Sequence, residues 1–156
     1  MTPAINAATN AGVSHKIHKY EHDSAAESFG LEAAEKLGLE PGRVFKTLVV
    51  TVDVGEMLVA VLPVSSTLSM KLAAHAIGGK KAAMADKNSV QRSSGYVLGG
   101  VSPLGQKRPL RTVIDSSARQ FETVFVSAGR RGLELELTPD DLARLTNGQF
   151  AHLQQL

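Results

Sequence analysis

Cysteine is missing from this sequence altogether, and its absence removes three chemistries at once: disulfide bonds, thiolate metal sites and a thiol nucleophile carried by the protein. A reducing cytosol fits such a chain. Long apolar runs are missing too. No stretch approaches the ~20 residues that span a bilayer, and residues 1–12 lack the charged start and apolar core of a signal peptide. A soluble, cytoplasmic protein is therefore expected. Charge of one sign is also scarce: 17 Lys and Arg against 15 Asp and Glu leave a net charge of +2, too little by itself to indicate a nucleic-acid partner. The distribution is more telling. Basic residues cluster at Lys80-Lys81, Lys107-Arg108-Arg111 and Arg130-Arg131, and acids gather around Glu134, Glu136, Asp140 and Asp141.

What is present is a chain of 156 residues, long enough to bury about two thirds of its unfolded surface as one domain. Thr2-Pro3 reads as a helix cap and first turn, with Gly12 as the stop. A strand follows at Ile17 to Tyr20, then a helix over "SFGLEAAEKLG" closed by Gly38. "FKTLVVTV" and "MLVAVLPV" are β-branched apolar runs around "DVGE", a hairpin pattern in which Pro63 marks a strand end or edge. "SMKLAAHAIGG" and "DKNSVQRSSG" read as helices, the second capped by Asp86 and ended by Gly95. "RTVID", "TVFVSAG" and "LELEL" read as strands, and "TPDDLARLTNG" as a last capped helix. Strands and helices without a regular βαβ period predict an α/β chain of the α+β type. Its mostly antiparallel mixed sheet, or partly closed barrel, would be surrounded by helices.

The segment "GYVLGGVSPLGQKRPL", residues 95–110, concentrates glycine and proline where no helix or strand is expected. Gly100 and Gly105 have the glycine spacing of a nucleotide-binding loop, but Gln106 displaces Lys107 and no Ser or Thr follows, so that motif fails. A Ser102, Asp115, His152 triad fails because Pro103, directly after the serine, has no N–H to offer an oxyanion. His18 and His22 are four residues apart, but in a segment that reads as extended and without metal-binding companions, so no metal is expected. The positive reading is a nest. Successive N–H groups of Gly99, Gly100 and Val101 would face a phosphate or the oxyanion of an acyl transfer, with Pro103 stiffening the exit. A tight turn between strands accounts for the same glycines.

"MTPA", "HKYEHD", "FKTLVV", "MADK", "GYVLGGVSPLGQK" and "GRRGLELEL" occur in order along nearly the whole chain. Together they resemble the bacterial YbaK/EbsC group, free-standing Cys-tRNA(Pro) deacylases related to the editing domain inserted in prolyl-tRNA synthetases. The resemblance implies a single aminoacyl-tRNA editing domain over residues 1–156 with no metal or organic cofactor. It would be a trans-editing enzyme that cleaves mischarged Cys-tRNA(Pro), and Cys-tRNA(Cys) as a further candidate, in a complex with prolyl-tRNA synthetase. In the family the substrate's own sulfur attacks its ester, which leaves the protein to orient the reactants. Carried onto this chain, Lys46, Gly99, Gly100 and Val101 are the catalytic candidates. Tyr20, Phe29, Thr47, Ser102, Pro103, Arg130 and Glu134 are the substrate-binding ones. Lys46 would contact the terminal ribose or phosphate, although an outward lysine on an edge strand reads the same, and Tyr20 and Phe29 could equally be core. Two departures stand out. Glu134 replaces the aspartate of many members, and "GRRG" replaces Gly-Lys-Arg-Gly. The other readings are a deacylase for another small mischarged residue, such as Ala-tRNA(Pro), and a non-catalytic module that binds tRNA ends or a synthetase.

Overall fold

The computed structural model describes residues 1–26, 28–53 and 55–156. Helix α1, Pro3–Asn10, begins where Thr2 Oγ1 accepts the Ile5 N–H at 3.2 Å. The same hydroxyl donates to the Ala128 carbonyl, so the cap also pins the helix to the sheet. Strand β1, Lys16–Lys19, comes next. Helix α2, Phe29–Leu37, is capped by Ser28 and closed by Gly38 in the left-handed region. Strands β2, Phe45–Val52, and β3, Glu56–Pro63, form an antiparallel hairpin. Val54 in its expected turn lies outside the described residues. Pro63 ends β3 opposite Phe45, so a central strand tolerates a residue without an N–H because the ladder stops there.

Helix α3, Met70–Ala76, precedes strand β4, Ala82–Met84, and helix α4, Lys87–Ser94, whose first turn is held by the Asp86 carboxylate. Beyond the glycine-rich segment come β5, Arg111–Asp115, β6, Val124–Arg130, and β7, Leu133–Leu137. Helix α5, Pro139–Thr146, is capped by Thr138, and β8, Gln149–Ala151, is the last strand. β4 and β8 have three residues each and carry no readable periodicity, which is why sequence pattern did not disclose them.

The strands make two sheets, and among the described residues they close no barrel. One sheet has the order β1-β7-β6 and is antiparallel throughout. The other, β4-β2-β3-β5-β8, is antiparallel from β4 to β3 and parallel from β3 to β8. Among the described residues a parallel bridge, Val44 to Phe125, joins them. The main core fills the space between them, with Phe45, Val49, Val61 and Ile114 facing Val126, Leu135 and Leu137, and α1 adding Ala4, Ile5 and Ala8. On the far face of the larger sheet, Val50, Leu58, Ala60 and Leu62 pack on Ala73 and Ala74 of α3. Burial on both faces explains why β2 and β3 read as near-continuous apolar runs rather than alternating ones.

Candidate active site

β2 is covered by β4 only from Val50 to Val52. Earlier, from Phe45 to Leu48, its outer edge is open. On the opposite sheet, the register between β6 and β7 slips after Ser127 paired with Glu134, and resumes at Arg130 paired with Leu133. The bulge turns the end of β6 away. Between the open edge and the bulge lies a pocket of about 370 Å³, walled by Tyr20, Phe29, Lys46, Thr47, Leu48, Leu98, Gly99, Val101, Ser127, Arg130, Arg131 and Glu134, among others.

Most of the residues singled out in the sequence meet there. Tyr20, Phe29, Lys46, Thr47, Gly99, Val101, Arg130 and Glu134 line the pocket; Gly100, Ser102 and Pro103 do not. These three support the loop from behind. The Gly100 N–H is committed to a turn, donating to the Val97 carbonyl at 3.0 Å, so the expected run of three free amides is corrected to two. Gly100 is glycine for a packing reason, since a Cβ there would come within 2.8 Å of the Arg130 Cα. Ser102 is fully buried and its Oγ accepts the Leu104 N–H at 3.2 Å. Pro103 is buried beside it. The Gly99 and Val101 N–H groups have no acceptor among the described residues. Gly99 has φ +89°, and a Cβ on it would lie 2.6 Å from Arg131 Nε and 2.9 Å from Phe29 Cε2. Only glycine lets the loop come this near.

The Lys46 ammonium is half-buried, donates to the Ser66 carbonyl at 2.5 Å and pairs with no carboxylate among the described residues. Burial holds its pKa below the ordinary lysine value. Thr47 Oγ1 is buried without a hydrogen-bond partner among those residues. Glu134 is 6% exposed, and burial pushes its carboxyl up to about 8, so it is protonated at neutral pH. Burial likewise raises the Tyr20 hydroxyl.

A second constellation borders the pocket that sequence reading did not join up. The Arg131 guanidinium lies 3.7 Å above the Phe29 ring and reaches His22 Nε2 at 3.2 Å. His22 Nδ1 in turn meets Glu32 Oε1 at 2.8 Å, and Glu32 Oε2 accepts the Asp23 N–H at 2.8 Å. Burial works against the Glu32 charge, but these hydrogen bonds prevail and lower its pKa. The carboxylate therefore fixes the proton on Nδ1 and leaves Nε2 as an acceptor for Arg131. His18, the other histidine of the four-residue pair, binds Glu136 at 2.8 Å instead.

The rejected triad does not assemble. The Asp115 carboxylate accepts from the Leu153 N–H and Gln154 Nε2, both at 2.8 Å, while His152 Nδ1 pairs with Ser116 Oγ at 2.9 Å. The serines in the pocket wall serve the backbone: Ser127 Oγ accepts the Gly129 N–H at 3.1 Å, and Ser28 Oγ accepts the Leu31 N–H at 3.4 Å.

The family model for the aminoacyl-tRNA editing domain matches residues 24–145. This chain belongs to the aminoacyl-tRNA editing domain family. It is 40% identical over 142 residues to "Putative Cys-tRNA(Pro)/Cys-tRNA(Cys) deacylase EbsC" of Enterococcus faecalis, covering 89% of this chain and 87% of that protein. It is 30% identical over 130 residues to "Uncharacterized protein YwhH" of Bacillus subtilis, covering 83% and 80%. Among solved structures, the "Crystal structure of a putative trans-editing enzyme for prolyl tRNA synthetase" superposes with TM-score 0.86 at 25% identity, covering 99% of this chain and 96% of that one. Membership of this family implies a mischarged tRNA as substrate. Among the described residues, no helix is long and apolar enough to cross a membrane.

Proposed function

We propose that the chain is a trans-editing deacylase that clears cysteine from tRNA(Pro), using the substrate's own thiol as nucleophile. The observation that carries this reading is a pocket whose wall holds the Lys46 side chain and two backbone N–H donors, Gly99 and Val101, that are unengaged among the described residues, and whose serine hydroxyls are tied to the backbone rather than to a base. Such a wall offers electrostatic stabilisation and orientation but no activated nucleophile. The attacking group comes from the substrate. Sulfur bonds to the ester carbon, the bond from that carbon to the ribose oxygen breaks, and the thiol proton ends on the departing oxygen, giving a cyclic thiolactone and free tRNA.

Holding the thiol and carbonyl in line contributes up to about 7–11 kcal/mol in favourable intramolecular reactions. Each amide directed at the developing oxyanion adds about 3–4 kcal/mol. Lys46 supplies a partly desolvated positive charge to the terminal ribose or phosphate. Phe29 under Arg131 forms a cationic aromatic shelf for the terminal base, and Arg130 stands beside it for the adjoining phosphate. The 40% identical relative named for Cys-tRNA(Pro) and Cys-tRNA(Cys) supports cysteine as the amino acid. Prolyl-tRNA synthetase is the partner that makes the error and hands over its product. The chain works where translation takes place, in the cytoplasm.

The test is single-turnover deacylation of Cys-tRNA(Pro) against Ser-tRNA(Pro) and S-methyl-Cys-tRNA(Pro). Replacing or blocking the sulfur is expected to lower the rate at least a hundredfold. Equal rates would overturn the substrate-thiol mechanism. Rapid release of alanine from Ala-tRNA(Pro) with little action on Cys-tRNA(Pro) would reassign the substrate.

A further inference from the structure

Two polar side chains in the pocket wall lack partners among the described residues, and they are set among apolar and cationic neighbours. Thr47 Oγ1 is buried without a hydrogen bond among the described residues. Glu134, 6% exposed, has no donor or cation within hydrogen-bonding distance of its carboxyl among those residues, and burial is the sole influence shifting its pKa. Buried polar groups in folded proteins are nearly always hydrogen-bonded. Two unpartnered ones in a single pocket of about 370 Å³ mark the place of a ligand group.

Charge identifies that group. The cationic side chains in the wall are Lys46, Arg130 and Arg131, which suit the phosphate and ribose of a nucleotide. A carboxyl in the same wall does not suit those anions. An aminoacyl ester carries one cation, the α-ammonium, next to the carbonyl under attack. Resting on the reading of the pocket as an aminoacyl-ester site, we propose that Glu134 is the counter-ion of the substrate's α-ammonium and that Thr47 Oγ1 accepts one of its remaining N–H bonds. The carboxyl releases its proton to solvent when it meets the ammonium, or passes it to nitrogen when it meets the free amine. The pairing fixes the nitrogen, and with it the rotation that decides whether the thiol points at the ester. It also selects against acyl esters that have no amine.

The experiment compares two non-hydrolysable ligands by calorimetry on the full chain. One is 3′-amino-3′-deoxyadenosine bearing cysteine in amide linkage; the other bears 3-mercaptopropionate and lacks only the α-amine. The wild type is expected to bind the cysteinyl compound at least tenfold more tightly. Glu134→Gln is expected to bring the two affinities within twofold of each other, and Glu134→Asp to retain part of the preference. Equal wild-type affinities, or equal weakening of both ligands in Glu134→Gln, would overturn the proposal. If Glu134→Gln does not fold, Thr47→Val decides instead, by weakening the cysteinyl compound alone or failing to. Equal binding of both ligands by an enzyme that still cleaves Cys-tRNA(Pro) sinks this inference alone. Failure of both to bind, with no cleavage, sinks the editing function with it.

Discussion

Glu134 combines two properties that rarely coincide at a residue kept only for packing: it is buried, and its carboxyl is unpaired among the described residues. Its cost to stability can be measured. In the unfolded chain the group ionises near 4.5, whereas in the folded chain it holds its proton up to about 8. Between those values the folded state binds the extra proton, so stability falls as pH rises, by about 1.4 kcal/mol per pH unit at the steepest. Below pH 4.5 the carboxyl is neutral in both states and the penalty vanishes. Urea unfolding of wild type and Glu134→Gln at pH 5, 7 and 9 should therefore show the difference moving in favour of the variant by a few kcal/mol from pH 5 to 8, then levelling. A constant difference across that range would mean that Glu134 is charged and paired in the folded protein. At Lys46 the cause is the same, burial, and the sign is opposite: its pKa is lowered, so stability rises as pH climbs through the folded value, while the ammonium keeps the Ser66 carbonyl as a partner.

At the scale of elements, the glycine-rich segment has a working edge and a supporting edge. Gly99 faces the pocket and its φ of +89° strains any side chain, at roughly 1–2 kcal/mol. The atoms its Cβ would meet belong to the Arg131 and Phe29 side chains, which can shift. Gly100 is backed by the Arg130 backbone at 2.8 Å, which cannot shift without moving the β6 bulge. Gly100→Ala should therefore lower the melting temperature more than Gly99→Ala. Gly99→Ala should depress deacylation more than its stability loss explains, because it displaces the stack over Phe29. Thermal melts and single-turnover rates of both variants test this, and the reverse ranking would show that the two glycines have been assigned the wrong sides.

The same segment shows what sequence can and cannot disclose. Caps at Thr2, Asp86 and Thr138 were legible because capping is local chemistry within four residues, and so were the long apolar strands. The contiguous motifs carrying Lys46-Thr47 and Gly99 were legible by family resemblance. Gly100 read as an amide donor because spacing does not reveal that Val97 turns back to accept its hydrogen. Arg131, His22 and Glu32 are brought together only by tertiary structure, Arg131 and His22 being 109 positions apart and His22 and Glu32 10 apart. The two sheets are joined by the Val44–Phe125 bridge, which no periodicity encodes.

At the scale of the whole molecule, a net charge of +2 gives little long-range attraction for a tRNA. Binding must rest on the few cations at the pocket, Lys46, Arg130 and Arg131. Each phosphate neutralised contributes about 0.7–0.9 to the slope of log affinity against log salt, so three contacts give a slope of about −2 to −3. Lys46→Ala should flatten it by nearly one unit while leaving the others in place. An enzyme that grips only the acylated end discriminates poorly among tRNA bodies. A short acceptor-stem minihelix bearing cysteine should then be cleaved within a few-fold of full-length Cys-tRNA(Pro), with similar salt dependence, and added prolyl-tRNA synthetase should restore the advantage of the cognate tRNA. If the slope for full-length tRNA is near −6 and the minihelix reacts far more slowly, the tRNA body must be held directly. The exposed cluster at Lys107 and Arg108 would then be the first place to substitute, because backbone hydrogen bonds to Ser94 and Ser93 fix it at the base of the same glycine-rich segment.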